Sequence, residues 1–263
     1  LGRALTAGCL LATLSKLAEE RLRIDFRSRV RDDDPPGGLL VDARGDGTVR
    51  GCLRRGFGDV PLRAALERTT GRLPLAPFLG RRGTLLVTRD FDAGNRYQGT
   101  VELVAGEVDL DLEHYLNTSE QLPSLLRCDV VLDPVGGVLR AGGILCQTFP
   151  GAGPEVLAPL RARLADDALA ALLLQPREPA ELVRFVLGGA DFEDMGKSPL
   201  HYRCPCNISV ARDILATLGA DDLDALARER DSTEVRCSYC GERYHLTSAD
   251  LHELAAELRW SRS

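Results

Sequence analysis

Two closely spaced pairs of cysteines stand near the C-terminus of this 263-residue chain. The first pair is Cys204 and Cys206, the second is Cys237 and Cys240, and thirty residues separate the pairs. Two thiol pairs joined by a long insertion suit a tetrahedral zinc site, because four sulfurs can each lie about 2.3 Å from one ion. The same thiols can instead be oxidised to disulfides, which would remove the ligands. The pattern therefore predicts either an inert structural zinc site or a redox switch.

A zinc ion held by these four cysteines would have a closed coordination shell, which leaves no position for water or substrate and argues against hydrolysis. His245, five residues after Cys240, is an alternative ligand that the spacing favours less. Paired cysteines more often bind a purely structural zinc ion than act as a redox switch. Two features favour the switch. The thiols of a C-x-C pair are close enough to bond each other, and the helical segment before the cysteines is expected to be ordered only while it packs against the rest of the protein.

The remaining four cysteines are scattered singly among apolar or glycine-rich residues, so we expect small buried hydrophobic side chains at Cys9, Cys52, Cys128 and Cys146. A disulfide framework usually marks a small secreted domain, and neither the length nor the spacing fits one. We therefore expect a reducing compartment, the cytoplasm, in which paired cysteines bind metal or sense oxidants.

The composition limits the classes of partner. Hydrophobic residues make up 44% and charged residues 27% of the chain, which is typical of a soluble globular protein. The formal net charge of −6 argues against a general affinity for nucleic acid or anionic membranes. No stretch approaches the ~20 apolar residues that a bilayer-spanning helix needs. We therefore predict neither nucleic acid nor membrane as a partner.

The first 150 residues alternate between helical and strand patterns. Helices are predicted at 1–22 and 109–120, and strands at 22–30, 38–43, 48–53, 83–88, 97–104, 128–132 and 138–149. Strand hairpins bracketed by helices predict an α+β core domain over residues 1–150. The chain opens inside a helical pattern, so we also expect that a segment precedes residue 1 in the natural protein.

Leucine- and alanine-rich helical sequence follows, with helices predicted at 155–175 and 180–187. Such short helices are only marginally stable when isolated. We therefore expect this linker, residues 151–203, to bury a leucine face against a larger part of the protein. That face comprises Leu169, Leu172, Leu173 and Leu174. The cysteine pairs then define a small C-terminal zinc domain over 204–263, with helices predicted at 210–218, 221–230 and 248–260 and Ser248 as an N-cap.

Over nearly its whole length the chain resembles the thirty-three-kilodalton heat-shock chaperonin family, the redox-regulated holdase chaperones of bacteria. The resemblance rests on the spacing of the four cysteines and on residues 119–124, Ser-Glu-Gln-Leu-Pro-Ser, after a helix that contains Tyr115. The supporting matches are 97–99, 141–145 with Gln147 and Pro150, 218–219 and 221–223. Two departures, at 207–212 and at Tyr239, keep every ligand but could change how easily the site oxidises.

The resemblance implies that the four cysteines bind one zinc ion in the reduced, inactive protein. Oxidation would then form the disulfides Cys204–Cys206 and Cys237–Cys240, release the zinc, and unfold the zinc domain and the linker. It further implies ATP-independent binding of unfolded or partly unfolded client proteins, often as a homodimer after oxidation, and no enzymatic activity.

Two rival functions stay open on the residues alone. A zinc-ribbon module with an inert structural zinc would contact nucleic acid or a protein partner, and a salt-dependent gel shift would favour it. A metal-dependent or thiol enzyme would need an open ligand position or a Cys–His pair, and no such pattern involves His114, His201, His245 or His252. Ser119 and Glu120 are better explained by capping and packing than by catalysis.

Overall fold

The chain divides into two compact units, Leu1–Tyr202 and Arg203–Ser263. The computed structural model describes residues 1–29, 37–54, 72–91 and 94–260. Both units combine helices with largely antiparallel strands, so the α+β class predicted from the sequence is confirmed. The finer division into core domain, linker and zinc domain stays a prediction.

The first unit contains most of the secondary structure. Its strands are β1 (Arg21–Arg29), β2 (Gly37–Arg44), β3 (Thr48–Arg54), β4 (Arg82–Asp90), β5 (Arg96–Glu102), β6 (Ser124–Leu132), β7 (Val138–Gln147) and β8 (His201–Tyr202). Its α-helices are α1 (Gly2–Ala12), α2 (Ala76–Leu79), α3 (Val108–Thr118), α4 (Ala158–Arg163), α5 (Ala168–Leu173) and α6 (Pro179–Leu187), with a 3-10 helix at Pro154–Leu157.

A six-stranded sheet in the order β5-β4-β1-β2-β3-β8 forms the centre of this unit. All neighbours pair antiparallel except β3 and β8, which are parallel. Helix α1 packs closely on the sheet because Gly8 has no side chain there: a Cβ at this position would lie 2.7 Å from Val41 Cγ1. The largest fully buried core side chains include Tyr115, Phe26, Leu11, Leu22, Ile24, Leu39, Leu85, Leu112, Leu116 and Leu126.

Strands β6 and β7 form a separate two-stranded antiparallel sheet, on which the linker helices pack. The buried residues of this second cluster, called the linker cluster here, are Leu125, Ile144, Leu157, Leu164, Leu169, Leu173 and Val186. The prediction of one helix over 155–175 is wrong, because residues 164–167 interrupt it and Asp166 has a φ of 50°. The predicted leucine face is correct for Leu169 and Leu173, which are buried, whereas Leu172 is half-buried and Leu174 is 55% exposed.

Several element boundaries differ from the prediction. Helix α1 ends at Ala12, not residue 22, where the Thr13 hydroxyl donates to the Leu10 carbonyl at 2.6 Å. Strand β6 begins at Ser124, four residues earlier than predicted. Val30, the last predicted residue of β1, lies outside the described residues.

The short strand β8 was not predicted, and its pairing with β3 is called the β3–β8 clasp here. His201 pairs with Thr48, and its N–H donates to the Gly47 carbonyl at 3.0 Å. Gly47 has a φ of 84°, which favours glycine, and a Cβ there would lie 2.1 Å from the Pro199 carbonyl oxygen. The clasp thus ties residues 199–202 to the central sheet immediately before the first cysteine pair.

The second unit consists of helices α7 (Ile208–Ala216), α8 (Ala220–Glu229) and α9 (Ser248–Trp260) with the hairpin β9 (Ser232–Arg236) and β10 (Arg243–Thr247). The predicted N-cap Ser248 is wrong: Thr247 caps α9, because Asp250 N–H donates to Thr247 Oγ1 and Thr247 N–H donates to the Asp250 carboxylate. The buried cluster of the second unit is small and comprises Leu215, Leu223, Ala227, Leu246, Leu251, Leu254 and Ala255. No helix in the described part of the chain is long and apolar enough to cross a membrane.

Candidate metal centre

The structure brings the four paired cysteines together. The Sγ atoms of Cys204, Cys206, Cys237 and Cys240 all lie within 4.8 Å of one another. Cys204 and Cys206 stand on the irregular segment before α7, Cys237 follows β9, and Cys240 precedes β10. Among the described residues this is the one group of His, Cys, Asp or Glu side chains whose ligand atoms converge in this way.

Local backbone geometry fixes both pairs. On the second pair, the Cys237 N–H donates to the Glu242 carbonyl at 2.8 Å, and the Gly241 N–H donates back to the Cys237 carbonyl at 2.9 Å. Gly241 has a φ of 79°, a conformation that favours glycine. On the first pair, Asn207 caps α7 by accepting the Val210 N–H at 3.0 Å, so the helix begins directly after Cys206. The two turns hold the sulfurs where one ion would contact them all.

The sulfur positions fit zinc. A tetrahedral ion with four Zn–S bonds of about 2.3 Å requires sulfur–sulfur separations of about 3.8 Å. The Cys204–Cys237 and Cys206–Cys240 separations are 3.6 and 3.3 Å, and no pair exceeds 4.8 Å. His245, the alternative ligand, lies instead on β10 with its Nε2 3.7 Å from Glu234 Oε2 and is not among the converging groups. These residues would therefore hold the ion as a closed four-thiolate shell.

The four sulfurs differ in their hydrogen bonds. Burial acts to raise the pKa of the Cys237 thiol, but hydrogen bonds from the Cys240 and Tyr239 N–H groups lower it to about 7. At Cys206, a hydrogen bond from Tyr244 lowers the pKa, and burial together with the other three cysteines outweighs it and raises the pKa to about 12. The Tyr244 hydroxyl donates to Cys206 Sγ at 3.2 Å. Backbone donors and one tyrosine hydroxyl thus stabilise negative charge on the sulfurs.

The other four cysteines stand apart from this group. Cys52 and Cys128 are buried, as expected, whereas Cys9 and Cys146 are only half-buried. Burial raises the pKa of Cys9, Cys128 and Cys146, which disfavours the reactive thiolate at each. Burial thus makes Cys9, Cys128 and Cys146 less reactive than a solvent-exposed cysteine.

Segment 119–124 has a structural role in the first unit. Glu120 accepts a hydrogen bond from the Tyr115 hydroxyl at 3.1 Å and pairs with Arg89 at 3.2 Å. The Ser124 N–H donates to Asn117 Oδ1 at 2.9 Å, which ties the end of α3 to the start of β6. Packing thus accounts for Glu120, and Ser119 is the C-cap of α3, with its N–H donating to the Tyr115 carbonyl at 2.8 Å, so capping and packing explain both residues as the sequence favoured.

Two features of the site were missed from the sequence. The β9–β10 hairpin, which presents the second cysteine pair, has only five residues in each strand and carries many charged side chains. Tyr244 stands on that hairpin four residues after Cys240. The alternation of Tyr244 and Leu246 with polar neighbours was a weak strand signal that could have revealed both.

A family model described as Hsp33 protein matches residues 1–247 of the chain. The chain belongs to the Hsp33 family. Among its relatives, a 33 kDa chaperonin of Desulfotalea psychrophila is 34% identical over 260 residues, covering 98% of this chain and 85% of the relative. A 33 kDa chaperonin of Gloeothece citriformis is 37% identical over 263 residues, with coverages of 98% and 85%.

A solved structure leads to the same family. The Hsp33 homologue, or 33 kDa chaperonin, of Thermotoga maritima superposes with a TM-score of 0.79 at 27% identity, covering 98% of this chain and 84% of that one. The resemblance inferred from the cysteine spacing and from segment 119–124 is therefore confirmed, and this Hsp33-family protein is a member of a chaperone family.

Proposed function

We propose that this protein is a redox-regulated, ATP-independent holdase chaperone of the cytoplasm, with no catalytic activity of its own. In the reduced state Cys204, Cys206, Cys237 and Cys240 bind one zinc ion and the chaperone is inactive. Oxidation forms the disulfides Cys204–Cys206 and Cys237–Cys240, and the protein then binds unfolded or partly unfolded clients, as a homodimer. The convergence of four sulfurs in a chaperone-family chain is the observation that carries this proposal.

The bound ion would supply a cross-link between the two cysteine pairs and keep all four sulfurs as thiolates. Each pair of thiolates reacts with one peroxide molecule and two protons to give one disulfide and two water molecules. A disulfide sulfur no longer carries the negative charge that binds the metal, so two such reactions remove the whole ligand set. Within each pair only one or two residues intervene, which keeps those partners close even after the unit unfolds and favours the proposed pairing.

The small second unit makes loss of the ion costly. Its buried cluster has only seven residues, and hydrophobic cores in units of this size rarely supply more than about 3–5 kcal/mol. Apparent binding energies of structural zinc reach about 10–16 kcal/mol and are folding energy for such a unit. Removing the ligands is therefore expected to unfold residues 204–263.

Unfolding of the cysteine unit would reach residues 151–203 through covalent continuity and weak local anchoring. The 190–200 segment has no helix or strand, and the β3–β8 clasp pairs only two residues of β8. The polar contacts of the linker helices are partly exposed to solvent and therefore weak. The Arg140 guanidinium donates to the Leu174 carbonyl at 2.9 Å, and Arg161 pairs with Glu113. Release of these helices would expose the apolar side chains of the linker cluster, a surface suited to unfolded clients.

The test combines three measurements on the reduced protein before and after mild peroxide treatment: bound zinc, free thiols and suppression of client aggregation by light scattering. We expect one zinc and four of the eight thiols to be lost while aggregation suppression appears. The Cys9→Ala variant, which alters a cysteine outside the group, is the matched control and should behave as the wild type. Peptide mapping then identifies the disulfides, and cross-links between the two pairs would contradict the pairing.

Retention of zinc, or its loss without any gain in aggregation suppression, would overturn the proposal. Retained zinc together with salt-dependent binding in a gel shift would instead favour the zinc-ribbon module considered from the sequence.

A further inference from the structure

Tyr244 is not one of the four cysteines, but its side chain connects the hairpin that carries the second cysteine pair to Cys206 of the first pair. It lies on β10, opposite Val235 of β9, and is half-buried. Its hydroxyl donates a hydrogen bond to Cys206 Sγ at 3.2 Å, and that sulfur is 3.3 Å from Cys240 Sγ. The pairing of the two strands sets the position of the Tyr244 backbone, so the hydroxyl reaches Cys206 from a fixed element.

This donor differs in kind from those of the second cysteine pair. Cys237 Sγ accepts hydrogen bonds from the backbone N–H groups of Cys240 and Tyr239, and Cys240 Sγ accepts one from the N–H of Glu242. Backbone donors persist whatever the side chains are. The hydroxyl of Tyr244 depends on one residue identity, so it is a donor that a single substitution can remove without altering the backbone.

We propose that Tyr244 is a positioning residue whose hydrogen bond slows oxidation of Cys206, and that it thereby sets how much oxidant the switch needs. This inference rests on the proposed function, because it assumes that oxidation of the cysteine group is the trigger. A sulfur that accepts a hydrogen bond has a lone pair engaged and part of its charge neutralised, so it attacks an electrophile more slowly. With zinc bound all four sulfurs are already thiolates, so the hydroxyl does not act by changing the ionised fraction.

The affected step is the first one in disulfide formation with hydrogen peroxide. The Cys206 thiolate sulfur attacks one peroxide oxygen, the O–O bond breaks, hydroxide leaves and a sulfenic acid forms. The Cys204 thiolate then attacks that sulfur, the S–S bond forms and a second hydroxide leaves. Two protons from solvent convert the hydroxides to water, so the two sulfurs lose two electrons and the peroxide gains two. The hydrogen bond from Tyr244 opposes the first attack.

The test is the Tyr244→Phe substitution, which removes the hydroxyl and keeps the ring. The zinc-loaded, reduced full-length protein is mixed with excess hydrogen peroxide, and zinc release is followed with a chromogenic chelator while free thiols are counted. Loss of one hydrogen bond predicts an increase of about three- to tenfold in the peroxide-dependent rate. The Tyr97→Phe variant removes a tyrosine hydroxyl from the first unit and should keep the wild-type rate.

A second measurement separates this role from general support of the fold. Zinc transfer to a competing chelator is followed without peroxide, and we expect Tyr244→Phe not to accelerate it. An equal acceleration of both processes would show that Tyr244 only holds the unit together, and an unchanged peroxide rate would show that the hydrogen bond does not matter; either result overturns the inference. Trapping of the sulfenic acid with dimedone should label Cys206 more rapidly in the variant.

These rates need no aggregation assay, so the inference and the proposed function can fail separately. If the oxidised wild type gains no aggregation suppression, the holdase proposal fails while the comparison of Tyr244→Phe with the wild type can still be made. If the wild type switches normally and the variant oxidises at the same rate, only the role of Tyr244 is overturned.

Discussion

The central sheet of the first unit and the cysteine unit keep their folds by different means. Among the described residues, the hydrophobic cluster around the sheet, α1 and α3 has 21 buried members, whereas the cluster of the cysteine unit has seven. Sizeable apolar burial stabilises the first without any ligand. The second has too little core for its length and gathers four thiols at one point instead. Under the proposed function, oxidation would therefore disorder the cysteine unit while the central sheet stays folded.

The largest effect expected from this difference is that of metal removal. Chelation of zinc from the reduced protein should remove the ~10–16 kcal/mol of apparent binding energy that folds the second unit. Hydrogen exchange measured by mass spectrometry should become fast across residues 204–260, while β1, β2 and β4 stay protected. The Cys237→Ser variant should behave in the same way without a chelator.

Because reduced conditions exclude disulfide formation, this experiment isolates the metal from the oxidation. The Cys9→Ala variant provides the matched control and should keep both units protected. Protection of the cysteine unit after complete loss of zinc would show that its core suffices, and the contrast between the two regions would disappear.

A smaller effect is expected from a buried charge in the sheet. Asp42 on β2 is 5% exposed and pairs with Arg21, Arg23 and Arg50 at 2.7 to 2.9 Å. Burial acts to raise its pKa, but hydrogen bonds from Arg23 and Arg21 hold the pKa well below its usual range. A carboxylate with a lowered folded-state pKa stabilises the fold above its unfolded pKa of about 4, and this contribution is lost as the pH falls below that value.

We therefore expect Asp42→Asn to destabilise the first unit by about 2–3 kcal/mol at neutral pH, because three partly exposed arginines lose their shared partner. Denaturant melts at pH 7 and pH 3 should show that the difference between variant and wild type shrinks in acid. The comparison variant is Asp90→Asn, which breaks the more exposed ion pair with Arg96 and should cost less than about 1 kcal/mol. A loss of similar size at Asp42 and Asp90 would contradict the assignment of Asp42 as a buried stabilising charge.

The smallest effect concerns the β3–β8 clasp. His201→Pro removes the N–H that donates to the Gly47 carbonyl and should cost about 1 kcal/mol of local stability. His201→Ala keeps that N–H and removes only the exposed side chain, so it should exchange like the wild type. We expect faster hydrogen exchange in peptides covering residues 197–203 of the reduced proline variant, together with earlier linker release at limiting peroxide. Identical exchange in the two variants would mean that the clasp does not restrain the segment.

The sequence predicted features that depend on neighbouring residues better than those that depend on distant packing. Strands β1 to β5 follow from local alternation and were located correctly to within a few residues. The convergence of the four sulfurs agrees with the cysteine spacing. The break at Asp166 was missed because the leucine and alanine pattern continues through it, and only the packing of the linker cluster decides which residues turn inward. Tyr244 was missed for a similar reason, since its contact with Cys206 spans 38 residues.

Gly47 lies where two backbones meet more closely than any side chain would permit. A single added carbon would stand 2.1 Å from the Pro199 carbonyl oxygen, inside the contact distance of the two atoms. A larger residue could still form the turn between β2 and β3 at some energetic cost, yet it would push the 199–202 segment off the sheet edge. If the proposed redox switch holds, a substitution at Gly47, more than 150 residues before Cys204, would therefore shift the amount of oxidant that the switch needs without any change in the sulfur chemistry.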